Sequence, residues 1–393
     1  MKKNKILFVL QRFYPSVGGT QNYSFLYAKE LTKLGYDVDI VTTDSLDNLD
    51  VRGFSSGRRF TFKSKNNKLL KKETIGGINI FRFSPIFQFF TVMINPSMFF
   101  FLLLNIQKYY IVHTYCYMYA EPDMVSVISL IFRNIKIVHS PQDIDVPFEG
   151  FLKKLKETFY DKSFGRLTLK RSSKIIVLTN ELKKRVKKMN IESGKIEILP
   201  IGIDFNNYKT TNNNKSIDIL FVGRLTEYKG AQYIIKTLEM LKNDGIFPNT
   251  LIIGKDYGYK NILEKNIEDY ELQNISINTN VRDKDLINFY RSSKFFIFPS
   301  SGEGFGGVVL EAISGGCYPI LLKEKGLKDL LGNIGGYSID KDKDISKQIY
   351  MFLKENHTKD FSNEVTVLQN IVKKDYNWTN IAKKLVQIYE KIQ

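Results

Sequence analysis

Cysteine and histidine are scarce in this chain of 393 residues, with two Cys at 116 and 317 and three His at 113, 139 and 357. Two thiols so far apart exclude a disulfide framework, and no Cys or His stands at zinc-ligand spacing. A reducing, cytoplasmic compartment is expected. Long apolar runs are also missing. The start, MKKNKILFVLQR, has five apolar residues before Gln11 and Arg12, too few for a signal-peptide core, and reads as a first buried strand. The greasiest run, FFFLLL at 99–104, lies between Asn95, Pro96 and Asn105, well short of a membrane span. It predicts a buried helix, or one with a face that also touches lipid. Asp-x-Asp pairs recur at 37/39, 143/145, 283/285 and in the DKDKD run from 340 to 344. They are too frequent in a charged chain to mark a metal site, and none is expected.

What the chain does have is length, apolar content and an uneven charge. At 393 residues, with 43% hydrophobic and 25% charged, it is long enough for two globular domains, each with its own core. The net charge is +17, and residues 1–200 hold 32 Lys and Arg against 17 Asp and Glu. The excess therefore sits in the first half. It is densest in Arg52–Lys72, with eight basic residues and no acidic one, and in Lys183, Lys184, Arg185, Lys187 and Lys188. Such a face attracts anions in a salt-sensitive way, and anionic phospholipid headgroups are candidate partners. A merely solvated basic surface is the alternative. No nucleic-acid partner is expected.

Apolar runs of strand length alternate with amphipathic segments, the pattern of βαβ units and a parallel sheet. In the first half the strands fall at 5–10, 37–42, 78–83, 110–114, 135–140, 174–179 and 195–200. The pattern restarts at 217–223, 250–254, 275–278, 294–299 and 317–322. Between them lies KTTNNNKS at 209–216, polar and without apolar period, which sets the expected domains at 1–208 and 209–375. A closing helix over 376–393, with Ile381, Leu385, Ile388 and Tyr389 on one stripe, should pack back on the protein.

The chemistry concentrates in two loops of the second half. Residues 295–316 read FFIFPSSGEGFGGVVLEAISGG, a strand, a glycine-rich loop and a helix whose first amides form an anion site. If loop and helix are continuous, Glu303 and Glu311 lie roughly 12 Å apart, the reach from a sugar to the ribose of a nucleotide sugar. The second loop, in FVGRLTEYKG at 221–230, offers Gly223, Arg224 and Lys229 at the carboxyl edge of the sheet, where two cations could neutralise a departing diphosphate. Near the start, Gly18 and Gly19 precede a helix and allow close backbone approach, although a plain tight turn explains them too. His113 and His139 end predicted strands, where packing is their commoner role. Gln142 and Asp143 follow in a loop that could line an acceptor cleft. Gly302, Gly304 and Gly307 also fit the dinucleotide pattern G-x-G-x-x-G, with Glu324 in the place of the ribose acid. That reading leaves Arg224 and Lys229 unexplained.

Together GEGFGGVVLE, with Glu303 and Glu311 in a Glu-x7-Glu pattern, GRLTEYKG, FYPSVGG, LPIGID, LIIGKD and the closing YNWTNIAKKLVQIY resemble glycosyltransferase family 4. These are retaining nucleotide-sugar enzymes of GT-B fold: α/β, two Rossmann-like doubly wound parallel-sheet domains facing a central cleft. The resemblance implies that Gly18 and Gly19 approach the donor phosphates, that Glu303 and the amides of Phe305, Gly306 and Gly307 hold the donor sugar, that Glu311 holds the ribose and that the base sits near Val281. It makes Arg224, Lys229 and Glu303 the catalytic groups, with His113, Gln142 and Asp143 toward the acceptor. Thr20 and Gln21 stand where relatives commonly have an acid, Ile201 where Asn is usual, and Gln142 where many have His.

The expected reaction moves a sugar, with retention, from a UDP- or GDP-sugar to a hydroxyl acceptor, possibly lipid-linked, in cell-surface polysaccharide or glycolipid synthesis. The acceptor attacks on the face the diphosphate leaves, a phosphate oxygen takes its proton, and no cofactor is needed. The enzyme would work in the cytoplasm or on the inner face of the membrane. A phosphorylase or sugar-phosphate synthase of the same fold, an oxidoreductase using the GEGFGG loop and a silent sugar-nucleotide binder are the alternatives.

Overall fold

The computed structural model describes residues 4–16, 18–46, 60–62, 69–89, 92–142, 144, 154, 156–208 and 215–392. The chain forms two compact units, Met1–Pro200 with Trp378–Gln393, and Ile201–Asn377. Most of the basic segment 52–72 lies outside the described residues.

Unit 1 contains, in order, β1 (Lys5–Val9), α1 (Gly19–Lys33), β2 (Asp37–Thr43), β3 (Phe60–Phe62), β4 (Lys72–Ile75), β5 (Ile78–Phe83), β6 (Phe87–Phe89), β7 (Val92–Ile94), α2 (Pro96–Asn105), β8 (Ile111–Tyr115), α3 (Ala120–Ile131), β9 (Ile137–Ser140), α4 (Phe164–Arg171), β10 (Lys174–Val177), α5 (Asn180–Lys188) and β11 (Ile196–Ile198). Its 8-stranded sheet runs β11-β10-β9-β8-β1-β2-β5-β4 and is parallel except for the β4–β5 hairpin. β1, β8 and β9 are buried along nearly their whole length, as strands of a parallel sheet covered on both faces are. Leu7, Val9 and Val112 pack under Met98 and Leu102 of α2 and Val125 and Ile128 of α3. The strand order reverses between β1 and β8, the switch point at which open α/β sheets bind ligands.

The FFFLLL run is indeed helical. Asn95 caps α2, its side-chain oxygen accepting from the Met98 amide at 3.1 Å, and Pro96 stands at the first helical position. Only one stripe is buried, however. Phe100 is 60% and Leu104 77% exposed, as are Leu130 (51%) and Ile131 (65%) at the end of α3, which packs against α2.

Unit 2 contains α6 (Phe205–Tyr208), β12 (Ile217–Val222), α7 (Ala231–Asn243), β13 (Thr250–Ile253), α8 (Lys260–Asp269), β14 (Ile275–Asn278), α9 (Asp283–Arg291), β15 (Ser293–Phe298), α10 (Gly307–Ser314), β16 (Tyr318–Leu322), α11 (Lys325–Asn333), β17 (Tyr337–Ile339), α12 (Ile345–Asn356) and α13 (Ser362–Asp375). Its 6-stranded sheet, β14-β13-β12-β15-β16-β17, is parallel throughout. Here the order reverses between β12 and β15, the two strands that carry the loops singled out in the sequence.

The boundary differs from the expected 208/209. Ile203 donates its amide to the Tyr376 carbonyl at 2.7 Å and bridges to Asn377, and α6 packs on α9 and α10, so residues 201–208 belong to unit 2. The polar bridge 209–214 is outside the described residues. The closing helix, α14 (Trp378–Glu390), returns to unit 1 and packs on α1. Its Trp378 meets the Tyr27 ring edge-on at 5.1 Å, and Lys136 donates to the Ile392 carbonyl at 2.9 Å.

Candidate active site

Two loops meet at the unit 2 switch point. The first leaves β12 at Gly223 and turns through Arg224 to a short helical turn at Glu227–Lys229. It then enters α7 through Gly230, whose φ is +84° and where a Cβ would lie 2.5 Å from the Pro299 carbonyl oxygen. Only glycine fits both demands, and this contact seats the first loop against the end of β15. The second loop runs from Pro299 to Gly306, whose φ of +91° starts α10 and where a Cβ would press on Leu327 at 2.6 Å.

Lys229 is 7% exposed, and its ammonium donates to the Glu303 carboxylate in an ion pair. Ser300 donates to the same carboxylate oxygen at 3.5 Å. Burial, with the Arg224 guanidinium adding to it, pushes Lys229 down to about 7. Arg224 is exposed and donates to the Tyr228 hydroxyl at 2.6 Å. Its guanidinium lies between the rings of Tyr228 and Tyr257, 5.9 and 5.6 Å from their centroids. Tyr228 also joins the loops through its carbonyl, which accepts from the Ser301 amide at 3.0 Å, and its ring fills the space beside Gly302. Sequence reading missed Tyr228. An aromatic residue between two recognised cations carries no signal until the loops are folded.

The other donor-side candidates stand on the same edge. Gly223 is held by Gly254, where a Cβ would collide with the Gly223 carbonyl at 1.6 Å. Val281 lies in the loop after β14. Glu311, on α10, accepts from the buried Tyr290 hydroxyl at 2.9 Å. Phe305 is buried, and the Gly306 cap offers no side chain to the first amides of α10. Because the helix starts only at Gly307 and Gly306 is left-handed, the continuous rise behind the 12 Å figure does not apply. Glu324 stands at the residue before α11 and makes no side-chain capping bond there.

In unit 1, Gly18 precedes the first turn of α1 without side-chain capping, and the space where Gly19 would carry a Cβ is open. His113 is not at the edge. It is 1% exposed, with Nδ1 2.6 Å from the Tyr389 hydroxyl of α14 and Nε2 2.8 Å from Ser140 Oγ, and burial drives its pKa well down. It is a neutral packing residue, which corrects its expected place beside the acceptor. His139 is likewise buried, pushed down to about 3, and pairs with Thr114 at 2.8 Å. Gln142, at the end of β9, has φ +67° and turns back on the Ser140 carbonyl. Asp143 is outside the described residues. Glu121, in the first turn of α3, carries no signal in the sequence; it is fully buried, and neither carboxylate oxygen has a partner outside its own residue.

Among the described residues, no group of three His, Cys, Asp or Glu is placed to hold a metal ion, and no helix is long and apolar enough to cross a membrane.

Residues 17–207 match the profile of Glycosyltransferase Family 4, and residues 203–366 that of Glycosyl transferases group 1. The chain belongs to the family 4 glycosyltransferases. It has their GT-B fold of two Rossmann-like units. An uncharacterized glycosyltransferase of Methanocaldococcus jannaschii is 24% identical over 277 residues, 66% of this chain and 69% of that one. The phosphatidylinositol N-acetylglucosaminyltransferase gpi3 subunit of Schizosaccharomyces pombe is 21% identical, covering 97% of this chain and 79% of that protein. The structure of Anabaena HepE in complex with UDP-glucose superposes with a TM-score of 0.70 at 15% identity, covering 98% of this chain and 99% of that one.

Proposed function

We propose that this glycosyltransferase moves a sugar, with retention at the anomeric carbon, from a nucleoside diphosphate sugar to a hydroxyl acceptor in glycolipid or cell-surface polysaccharide synthesis. The observation that carries the reading is the meeting of Arg224, Lys229 and Glu303 at the unit 2 switch point. When the sugar–oxygen bond breaks, negative charge grows on the diphosphate. Arg224, Lys229 and the start of α10, where no side chain caps the first amides, would stabilise it. Glu303 would accept hydrogen bonds from the donor sugar, and Lys229 would turn from Glu303 toward the diphosphate when the donor arrives. Glu311 would hold the ribose and the loop at Val281 the base. The acceptor hydroxyl would attack on the face the diphosphate leaves, with a phosphate oxygen as its base. In this mechanism no metal or cofactor takes part.

Unit 1 would take the acceptor. The basic first half, together with exposed Phe100, Leu104, Leu130 and Ile131, supports a lipid-linked acceptor met at an anionic membrane surface on the cytoplasmic face. Thermal unfolding with UDP, GDP and their sugars tests the donor half, since a bound ligand raises the midpoint. A donor that shifts the parent protein and not the Arg224→Ala variant supports the assignment; equal shifts in both refute it. Flotation with anionic vesicles at low and high salt tests the surface, and no binding at low salt refutes it.

A further inference from the structure

Unit 1 has a second switch point, between β1 and β8, where two side chains, Arg12 and Glu121, keep buried polar atoms without a hydrogen-bond partner. Arg12, just past β1, keeps its Nε buried and unpartnered. No carboxylate pairs with it among the described residues. Tyr119, the residue before α3, lies within hydrogen-bond reach of the Arg12 guanidinium. Two positions on, Glu121 is fully buried, and neither of its oxygens has a partner outside its own residue. Cys116, at the end of β8, feels both Arg12 and Glu121 and leans on Thr20 at 3.8 Å. Cys116 and Met118 hold φ of +70° and +64°, so the loop between β8 and α3 is kept in an unfavourable shape.

Burial pushes the Glu121 carboxyl up to about 8; its own amide and Arg12 oppose the rise, and Asp123 adds to it. At neutral pH the Arg12 guanidinium thus stands near an uncharged carboxylic acid. Apart from the contact with Tyr119, the Arg12 Nε and the Glu121 proton have no acceptor, a costly state for buried groups. A neutral sugar hydroxyl could satisfy Glu121 yet would leave the Arg12 charge unbalanced. A tetrahedral oxyanion answers both, offering one oxygen to Arg12 and another to the Glu121 proton.

We propose that Arg12, Tyr119 and Glu121 enclose a subsite on unit 1 that binds an oxyanion, a phosphate carried by the acceptor. The assignment to the acceptor rests on the functional reading above; the oxyanion site does not, because its binding is measured without turnover. The test titrates inorganic sulfate, whose charge is constant from pH 6.5 to 9, into the full chain carrying Arg224→Ala and Lys229→Ala, which disables the anion site of unit 2. The expected result is one bound sulfate whose affinity falls about tenfold or more as pH rises through 8 and Glu121 becomes a carboxylate repelling it. Adding Arg12→Ala should abolish binding and Arg12→Lys restore part of it, while Glu121→Gln should remove the pH dependence. Binding that is flat with pH, or indifferent to Arg12→Ala, overturns the site; the pH profile needs no unit 1 variant and so survives a folding defect. Displacement of sulfate by a soluble short-chain phosphatidic acid or by a sugar phosphate supports an acceptor-borne phosphate, the stronger competitor naming its source. Displacement by UDP or GDP alone overturns the acceptor assignment. An inactive enzyme that still binds sulfate faults the transfer reading and leaves the subsite standing.

Discussion

The two units share one strand plan and treat its switch point oppositely. In unit 2 the cations at the reversal are already answered: Lys229 pairs with Glu303, and Arg224 is held by Tyr228. In unit 1 the corresponding reversal holds Arg12 and Glu121 with bonds unmade. Identical topology therefore fixes where polar loops gather, and loop chemistry decides whether the site rests satisfied or waits for a ligand. In unit 2 the Lys229–Glu303 pair acts as a closed latch between the two loops. Unit 1 keeps Arg12 Nε and the Glu121 carboxyl without such a pairing.

The largest expected break in that contrast is at the latch. Arg224→Ala and Lys229→Ala should each lower kcat/KM about 10²–10³-fold, the scale for losing one group that stabilises developing charge, with unchanged circular dichroism. Next is a change confined to unit 1. Tyr389→Phe leaves buried His113 Nδ1 without its best partner and should cost about 1–3 kcal/mol in urea unfolding, while donor binding on unit 2 is unaffected. A smaller effect separates holding from acting. Tyr228→Phe keeps the ring beside Gly302 and loses only the hydroxyl bond to Arg224, so kcat/KM should fall about threefold to tenfold, in line with one exposed charge-assisted hydrogen bond; Tyr228→Ala, which also frees the loop, should fall further. The subtlest is the pH profile. With Lys229 pushed down to about 7, the ammonium is present below that value and lost above it. The kcat/KM of the free enzyme should decline as pH rises through about 7, and Lys229→Arg, which does not titrate there, should remove the decline.

The twelve strands read from apolar runs all appear, because a strand buried on both faces is written locally as a continuous run. The strands that went unread, β3, β4, β6, β7 and β17, are three or four residues long; β11 is no longer, yet the run KIEILP extends beyond it on both sides and makes it readable. The unit boundary misled for a different reason. A polar stretch such as 209–216 looks like a linker, whereas the pairing of Ile203 with Tyr376 joins residues far apart in sequence. Gly223, Arg224, Lys229, Glu303 and Gly306 were legible because each follows a recognisable strand. His113 was not, since the hydroxyl that claims it comes from a helix at the other end of the chain. Glu121 resembles any acid in the first turn of a helix, and only its complete burial sets it apart.

The bond between Ile203 and Tyr376 fastens the incoming and outgoing strands of residues 201–377 side by side. That stretch is therefore a cassette with a single doorway, spliced into a host whose own two ends lie in unit 1. Any exchange of residues 201–377 between relatives is therefore cut at 200/201 and 377/378, two joints that the Ile203–Tyr376 bond holds close together.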